Sequence, residues 1–114
     1  MIFMKLLNDI LRDVQEALLT VTNACYHYRR PPKPVESYIV WAEDSEAESM
    51  DAENRKAEQQ IHGTIDYFTR TEFDANVDRI QEALNAAGIG YRINSVQYED
   101  TTNLIHYEWE FWAA

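Results

Sequence analysis

The sequence predicts an α+β domain: a mainly antiparallel sheet of four to five strands with two helices packed on one face. Three observations carry this prediction. Apolar residues recur at the helical period of 3–4 in two separate stretches, and alternate at period two in the stretches between and after them. The 114 residues suit one domain, spanning 1–114, with a modest core. Two domains, a repeat array or a large cofactor enzyme are too big for this chain.

Each element follows from its residues. Over residues 3–23, Phe3, Leu6, Leu7, Ile10, Leu11, Val14, Leu18 and Val21 form one face, with Asn8, Asp9, Arg12, Asp13, Gln15 and Glu16 opposite. That is an amphipathic helix, ending near Thr20-Val21-Thr22, where β-branching lowers helix propensity. Cys25-Tyr26-His27-Tyr28 reads as a short strand. Arg29-Arg30-Pro31-Pro32-Lys33-Pro34 holds all three prolines of the chain and must be extended, since proline fixes φ and restrains the residue before it. Tyr38-Ile39-Val40-Trp41, β-branched and aromatic, is a strand.

Residues 43–58 change character. Seven acids (Glu43, Asp44, Glu46, Glu48, Asp51, Glu53 and Glu58) face only Arg55 and Lys56, so half of the net charge of −10 falls here. With Met50 its one large apolar residue, the stretch reads as a long solvated loop with a helical turn around 50–58. Residues 61–69 alternate, with Ile61, Ile65 and Tyr67 on one face. Helical period returns over 73–87 through Phe73, Val77, Ile80 and Leu84, with Thr71 as N-cap, Glu72 and Asp74 in the first turn, and Gly88 at C′. From Gly90, Tyr91, Ile93, Ser95 and Gln97 oppose Arg92, Asn94, Val96 and Tyr98. After the polar turn 99–103, Ile105, Tyr107, Trp109 and Phe111 oppose His106, Glu108 and Glu110. The sheet face carrying His106, Glu108, Glu110, Arg92 and Asp66 is expected to be wet or bound to a partner.

Composition excludes several functions. At 46% hydrophobic and 26% charged, the chain is globular rather than disordered. Its acidity argues against general or sequence-specific nucleic-acid binding, which draws on positive charge to displace counterions, and against docking on anionic membrane. The single cysteine, Cys25, allows no intrachain disulfide and no cysteine cluster for zinc, and suits a reducing, intracellular site of synthesis. The N-terminal apolar run is interrupted by Asn8, Asp9, Arg12 and Asp13, with no small-residue cleavage site after it. No apolar stretch approaches the ~20 residues of a membrane helix, and a soluble protein is expected.

No catalytic, cofactor-binding or metal-ligating set emerges. An EF-hand frame from Asp44 places Glu46 and Glu48 at positions 3 and 5, but then meets Ser49 where glycine is needed and Arg55 where a bidentate glutamate is needed. His27, His62 and His106 lie on three strands without metal-ligand spacing, and Cys25 reads as a small hydrophobe rather than a nucleophile. Glu108 and Glu110 share a strand face about 7 Å apart, a spacing that suits a carboxylate pair. No nucleophile elbow or P-loop accompanies them, and an E-x-E of this kind is ordinarily the solvent side of a strand. The strand aromatics are core, with some left for an interface, where Tyr, Trp and Arg dominate binding energy.

The order of these strings resembles a family. The N-terminal helix, Tyr26-His27-Tyr28, the Pro-rich connector, Tyr38-Ile39-Val40-Trp41, Gly63-Thr64-Ile65-Asp66-Tyr67-Phe68-Thr69, Val77-Asp78-Arg79-Ile80-Gln81, Ser95-Val96-Gln97-Tyr98-Glu99 and Ile105-His106-Tyr107-Glu108-Trp109 together resemble the small neck and tail proteins of long-tailed bacteriophages and prophages. These are the tail terminator, tail completion and head–tail joining proteins. The resemblance spans nearly the whole chain and implies no catalytic residues and no cofactor. It implies a subunit that forms a ring, often a hexamer, binds other tail and neck proteins, and moves from the host cytoplasm into the virion. The expected interaction residues are Arg29, Arg30 and Lys33 against Asp44, Glu46, Glu48, Asp51 and Glu53, paired head-to-tail, together with His106, Glu108 and Glu110. The alternatives are an intracellular interaction or regulatory module without a virion role and, last, a metal-dependent enzyme using the acidic segment or Glu108 and Glu110.

Overall fold

The computed structural model describes residues 5–33, 35–47, 51–52, 55–56 and 59–114. Its elements are α1 (Leu7–Leu19), β1 (Cys25–His27), β2 (Ser37–Glu46), β3 (Asp51–Ala52), β4 (Arg55–Lys56), β5 (Ile61–Thr69), α2 (Ala75–Ala86), β6 (Gly90–Glu99) and β7 (Leu104–Ala113). Five strands form one sheet in the order β1-β2-β5-β7-β6, and β3 pairs with β4 in a separate two-stranded ladder. All neighbours in the large sheet are antiparallel except β1 and β2, which run parallel. The α+β class is therefore as the sequence predicts.

Both helices pack on one face. The apolar stripe of α1 buries Ile10, Val14, Ala17 and Leu18, and that of α2 buries Ile80 and Leu84. They meet Ile39 and Trp41 from β2, Ile61, Ile65 and Tyr67 from β5, and Trp109, Phe111 and Ala113 from β7. Gly63 lets β5 lie against its neighbours: a Cβ there would stand 2.3 Å from the Ala42 carbonyl oxygen and 2.6 Å from the Phe111 ring. A smaller cluster, Tyr38, Phe68 and Leu104 with Ala24, Tyr26, Val35 and Val40, lies on the opposite face. That face is thus partly covered, and the connector helps to cover it: Val35 packs into the cluster and Arg30 sits 5.4 Å over the Phe68 ring.

The ends of α2 show where sequence and structure agree and differ. At the C-terminus, Gly88 has φ +71, the Ile89 N–H donates to the Leu84 carbonyl at 2.9 Å and the Gly88 N–H to Asn85 at 3.1 Å. This is a Schellman cap, with glycine relieving the left-handed residue of Cβ strain. At the N-terminus the cap is Asp74, not Thr71; its carboxylate accepts from the Asn76 N–H at 2.9 Å. Asp74 wins because its other oxygen also accepts from the hydroxyls of Tyr67 and Thr69, both at 2.7 Å. The helix consequently starts two residues later than expected. Phe73 falls outside it, at φ 55 and 97% exposed, instead of joining the core.

Two further expectations are corrected. The acidic stretch 43–58 is not a loop throughout. Residues 43–46 extend β2 and pair with β5 across a bulge between Glu43 and Ser45, because their backbone finds partners in Gly63, His62 and Ile61. Asp51–Ala52 and Arg55–Lys56 form a short antiparallel ladder in place of the helical turn. Glu48, Glu53 and Glu58 lie outside the described residues. In β6, a bulge between Ile93 and Ser95 breaks the alternation. Asn94 is the inserted residue, so Val96 and Tyr98 turn to the same face as Tyr91 and Ile93, opposite Tyr107 and Ile105.

Candidate functional site

The polar face of the sheet gathers the charges anticipated there. His62 on β5 stands between Asp44, 2.7 Å from Nδ1, and Glu110, 3.2 Å from Nε2. Arg92 on β6 is paired to the other Glu110 oxygen. One strand step away, His106 Nε2 lies 2.6 Å from Asp66 and stacks on Phe68 at 4.2 Å. Asn94 donates to Glu108 at 2.6 Å. The register explains the grouping, since Thr64↔Glu110, Asp66↔Glu108 and Phe68↔His106 alternate down β5 and β7.

These contacts shift the ionisation of the groups that make them. The hydrogen bond to Asp44 raises the His62 pKa; burial opposes it and Glu110 adds to it. Arg92, then His62, hold Glu110 below the usual carboxylate range. For Asp44, burial acts upward but is outweighed by the bonds from His62 and Ser45, so the carboxyl ends lowered. Asp66 goes the other way: burial raises it and outweighs the bond from His106, with the neighbouring Glu108 charge adding to the rise.

This layer is a network of paired groups, and none of its residues lines the grooves beside α2, beside α1 or between the two helices. Among the described residues, no group of three or more His, Cys, Asp and Glu has the arrangement to hold a metal ion. His27 is on the helix face instead, 2.7 Å from Glu43 and stacked on Trp41. Burial raises the Cys25 thiol to about 11, far from a reactive thiolate.

The predicted interaction residues divide. Asp44 and Glu110 are brought together through His62, and His106 and Glu108 both border Asp66. Glu46 accepts from Gln59 at 3.1 Å, and Asp51 lies in β3. Arg29, Arg30 and Lys33 are exposed on the connector after β1, and within the subunit none of them forms an ion pair among the described residues. The structure therefore does not join them to Asp44.

A second surface was missed by sequence reasoning. Asp74, at the start of α2, is bonded to the end of β5 through Tyr67 and Thr69, and Asn85, at its other end, donates to the Tyr91 hydroxyl at 3.1 Å near the start of β6. The helix thus crosses the sheet diagonally and leaves one corner uncovered. That corner holds Ile93, Val96 and Tyr98 of β6, 46%, 55% and 60% exposed, beside a groove of about 330 Å³ lined by Glu72, Phe73, Asp74, Val77, Asp78, Ile105 and Tyr107. The missed signals are the bulge, which turns Val96 and Tyr98 over, and the cap, which expels Phe73.

No protein-family model and no curated protein sequence matches the chain. Among solved structures, the fold is similar to a chain of the "Virion of native gene transfer agent (GTA) particle". The identity is 13% and the TM-score 0.55, over 91% of this chain and 89% of that one. The two share an overall fold across nearly their whole lengths. No described helix is long and apolar enough to cross a membrane.

Proposed function

We propose that this protein is a structural component of a phage-type virion, a tail terminator or tail completion protein that forms a ring at the neck and joins tail to head. The observation that carries the reading is the fold shared with a chain of a gene transfer agent virion over 91% of this chain. The surfaces are consistent with it: a solvated layer of paired charges on one face and an uncovered apolar corner on the other suit subunit packing better than substrate capture. In this reading the protein is not an enzyme. Its working state is a closed homo-oligomer, a hexamer by the family resemblance, contacting other tail and neck proteins inside the particle.

Deleting the gene from its phage or prophage tests this. The expected result is filled heads and separate tails, restored to joined particles by the gene supplied in trans. Normal particles from the deletion strain, or absence of the protein from purified particles by mass spectrometry, would overturn it.

A further inference from the structure

We propose that the open edge of β6 pairs with the same edge of a second copy of this chain, antiparallel and with Val96 on the two-fold axis. Two five-stranded sheets then join into one. A two-fold contact closes on itself and builds no ring, so this pairing belongs to the free chain and stands apart from the virion reading above.

The two edges of the sheet are unlike. β1 is three residues long and runs into the segment that holds all three prolines, a blunted edge that offers a neighbour little. β6 is ten residues long, contains no proline or lysine, and is the outermost strand on its side of the sheet. Every second residue of such a strand directs its backbone N–H and C=O outward, where no described strand takes them. Too few residues of β1 are available to satisfy that row. A second β6 matches it in length.

The residues of β6 also complement their own reverse. Counted past the Asn94 bulge as β7 counts them, Arg92, Ser95, Gln97 and Glu99 face the polar side, opposite Glu110, Glu108, His106 and Leu104. Tyr91, Ile93, Val96 and Tyr98 face the helix side, opposite Phe111, Trp109, Tyr107 and Ile105. Antiparallel pairing about Val96 sets Val96 against its own copy, Ser95 against Gln97, Ile93 against Tyr98 and Arg92 against Glu99. Each pair keeps to one face, and every unlike pair occurs twice. Moving the axis to Ser95 or Gln97 also keeps the faces but separates both charge pairs.

Charge and apolar contact favour the same register. Arg92 and Glu99 are the one cation and the one anion of the strand, so the joint is neutral although each chain carries −10. Arg92 binds Glu110 through Nε and Nη2, which leaves Nη1 for the partner, and Glu99 forms no ion pair among the described residues. On the helix side, Ile93, Val96 and Tyr98 are 46%, 55% and 60% exposed. Each gains an apolar neighbour across the joint, with aromatic against β-branched in two of the pairs.

Sedimentation velocity of the full chain over a concentration series tests the proposal, with wild type expected to pass from monomer to dimer. Glu99→Arg alone opposes two cations across the joint, and Arg92→Glu alone opposes two anions. Each is expected to weaken the dimer by about tenfold or more. An equimolar mixture of the two variants should form mixed dimers within about threefold of wild-type affinity, because every cation then meets an acid. A variant that simply misfolds cannot produce that rescue. Val96→Cys should give a disulfide-linked dimer on mild oxidation. Ile93→Cys, about 13 Å from its own copy along the strand, should not, and neither should wild type with Cys25 alone. A wild-type chain that stays monomeric at high concentration, leaving β6 to a different protein, overturns the proposal. So do single variants that pair like wild type, a mixture that stays monomeric, or Ile93→Cys linking as readily as Val96→Cys. Larger oligomers indifferent to these variants remove this contact and leave the virion role standing, which is read from the particle itself.

Discussion

β5 and β6 are strands of nearly equal length in one sheet, and both read as alternating from sequence. Yet β5 buries Ile61, Gly63, Ile65, Tyr67, Phe68 and Thr69, while no residue of β6 is fully buried. Alternation determines which side chains share a face. It does not determine whether anything lies on that face. β5 is central and roofed by both helices, whereas β6 is an edge that α2 reaches at one end alone. The same pattern makes a core in one place and an exposed apolar surface in the other.

Changes in β5 and β6 should therefore differ widely in cost. The largest effect is expected for Gly63→Ala, because the new Cβ would press on the Ala42 carbonyl oxygen and the Phe111 ring, and backbone cannot step aside. A loss of about 3 kcal/mol in urea unfolding is expected; a loss below about 1 kcal/mol would mean that β5 is less tightly held than its contacts imply. Asp74→Ala removes the helix cap and the bonds from Tyr67 and Thr69 that tie α2 to β5, at a cost of about 2 kcal/mol.

Asp74 should also shape the acid limb of stability. Burial raises its pKa, but the bonds from Asn76, Tyr67 and Thr69 outweigh this and hold the carboxyl below its usual range. Its contribution is then present above the unfolded value of about 3.9 and is lost as pH falls through the lower folded value. The difference in unfolding free energy between wild type and Asp74→Ala should narrow toward acid.

On the β6 side, effects should be small or reversed. Phe73→Gly relieves left-handed strain at a position without core contacts and should raise monomer stability by about 0.5 kcal/mol, the relief less the added entropy of glycine. Val96→Thr should change it by less than about 0.5 kcal/mol. The pH effect of His62 runs opposite to that of Asp74. Its pKa is raised by Asp44 first, against burial and with help from Glu110, so its contribution is full below the unfolded value of about 6.5 and fades as pH rises through the folded one. His62→Gln should flatten the fall of the urea midpoint as pH rises above about 6.5.

Much of the fold was legible in the residues themselves. Ile10, Val14 and Leu18 at helical spacing and Ile65, Tyr67, Trp109 and Phe111 at period two lead directly to the buried set. His106, Glu108 and Glu110 were placed on the polar face by parity alone, and that is where they lie. What escaped reading depended on contacts distant in sequence. Asp74 displaces Thr71 as the cap because Tyr67 and Thr69 reach it across the start of α2. Glu43 to Glu46 extend β2 because β5 supplies partners for their backbone, whatever their charge. Asn94 bulges without a glycine or proline to announce it, and the identity of the exposed corner followed from that one residue. The basic connector was legible as a cluster, but the groove beside β6 was not, since it exists only once α2 has crossed the sheet.

The Asn94 bulge makes the side on which this edge is apolar a matter of counting. Val96 and Tyr98 face outward beside Ile105 and Tyr107 because one extra residue precedes them, not because of any property of their own. Removing Asn94 would leave the composition of the strand almost untouched and still send both side chains over among the carboxylates. A single-codon deletion would thus carry the apolar patch of this edge from one side of the sheet to the other.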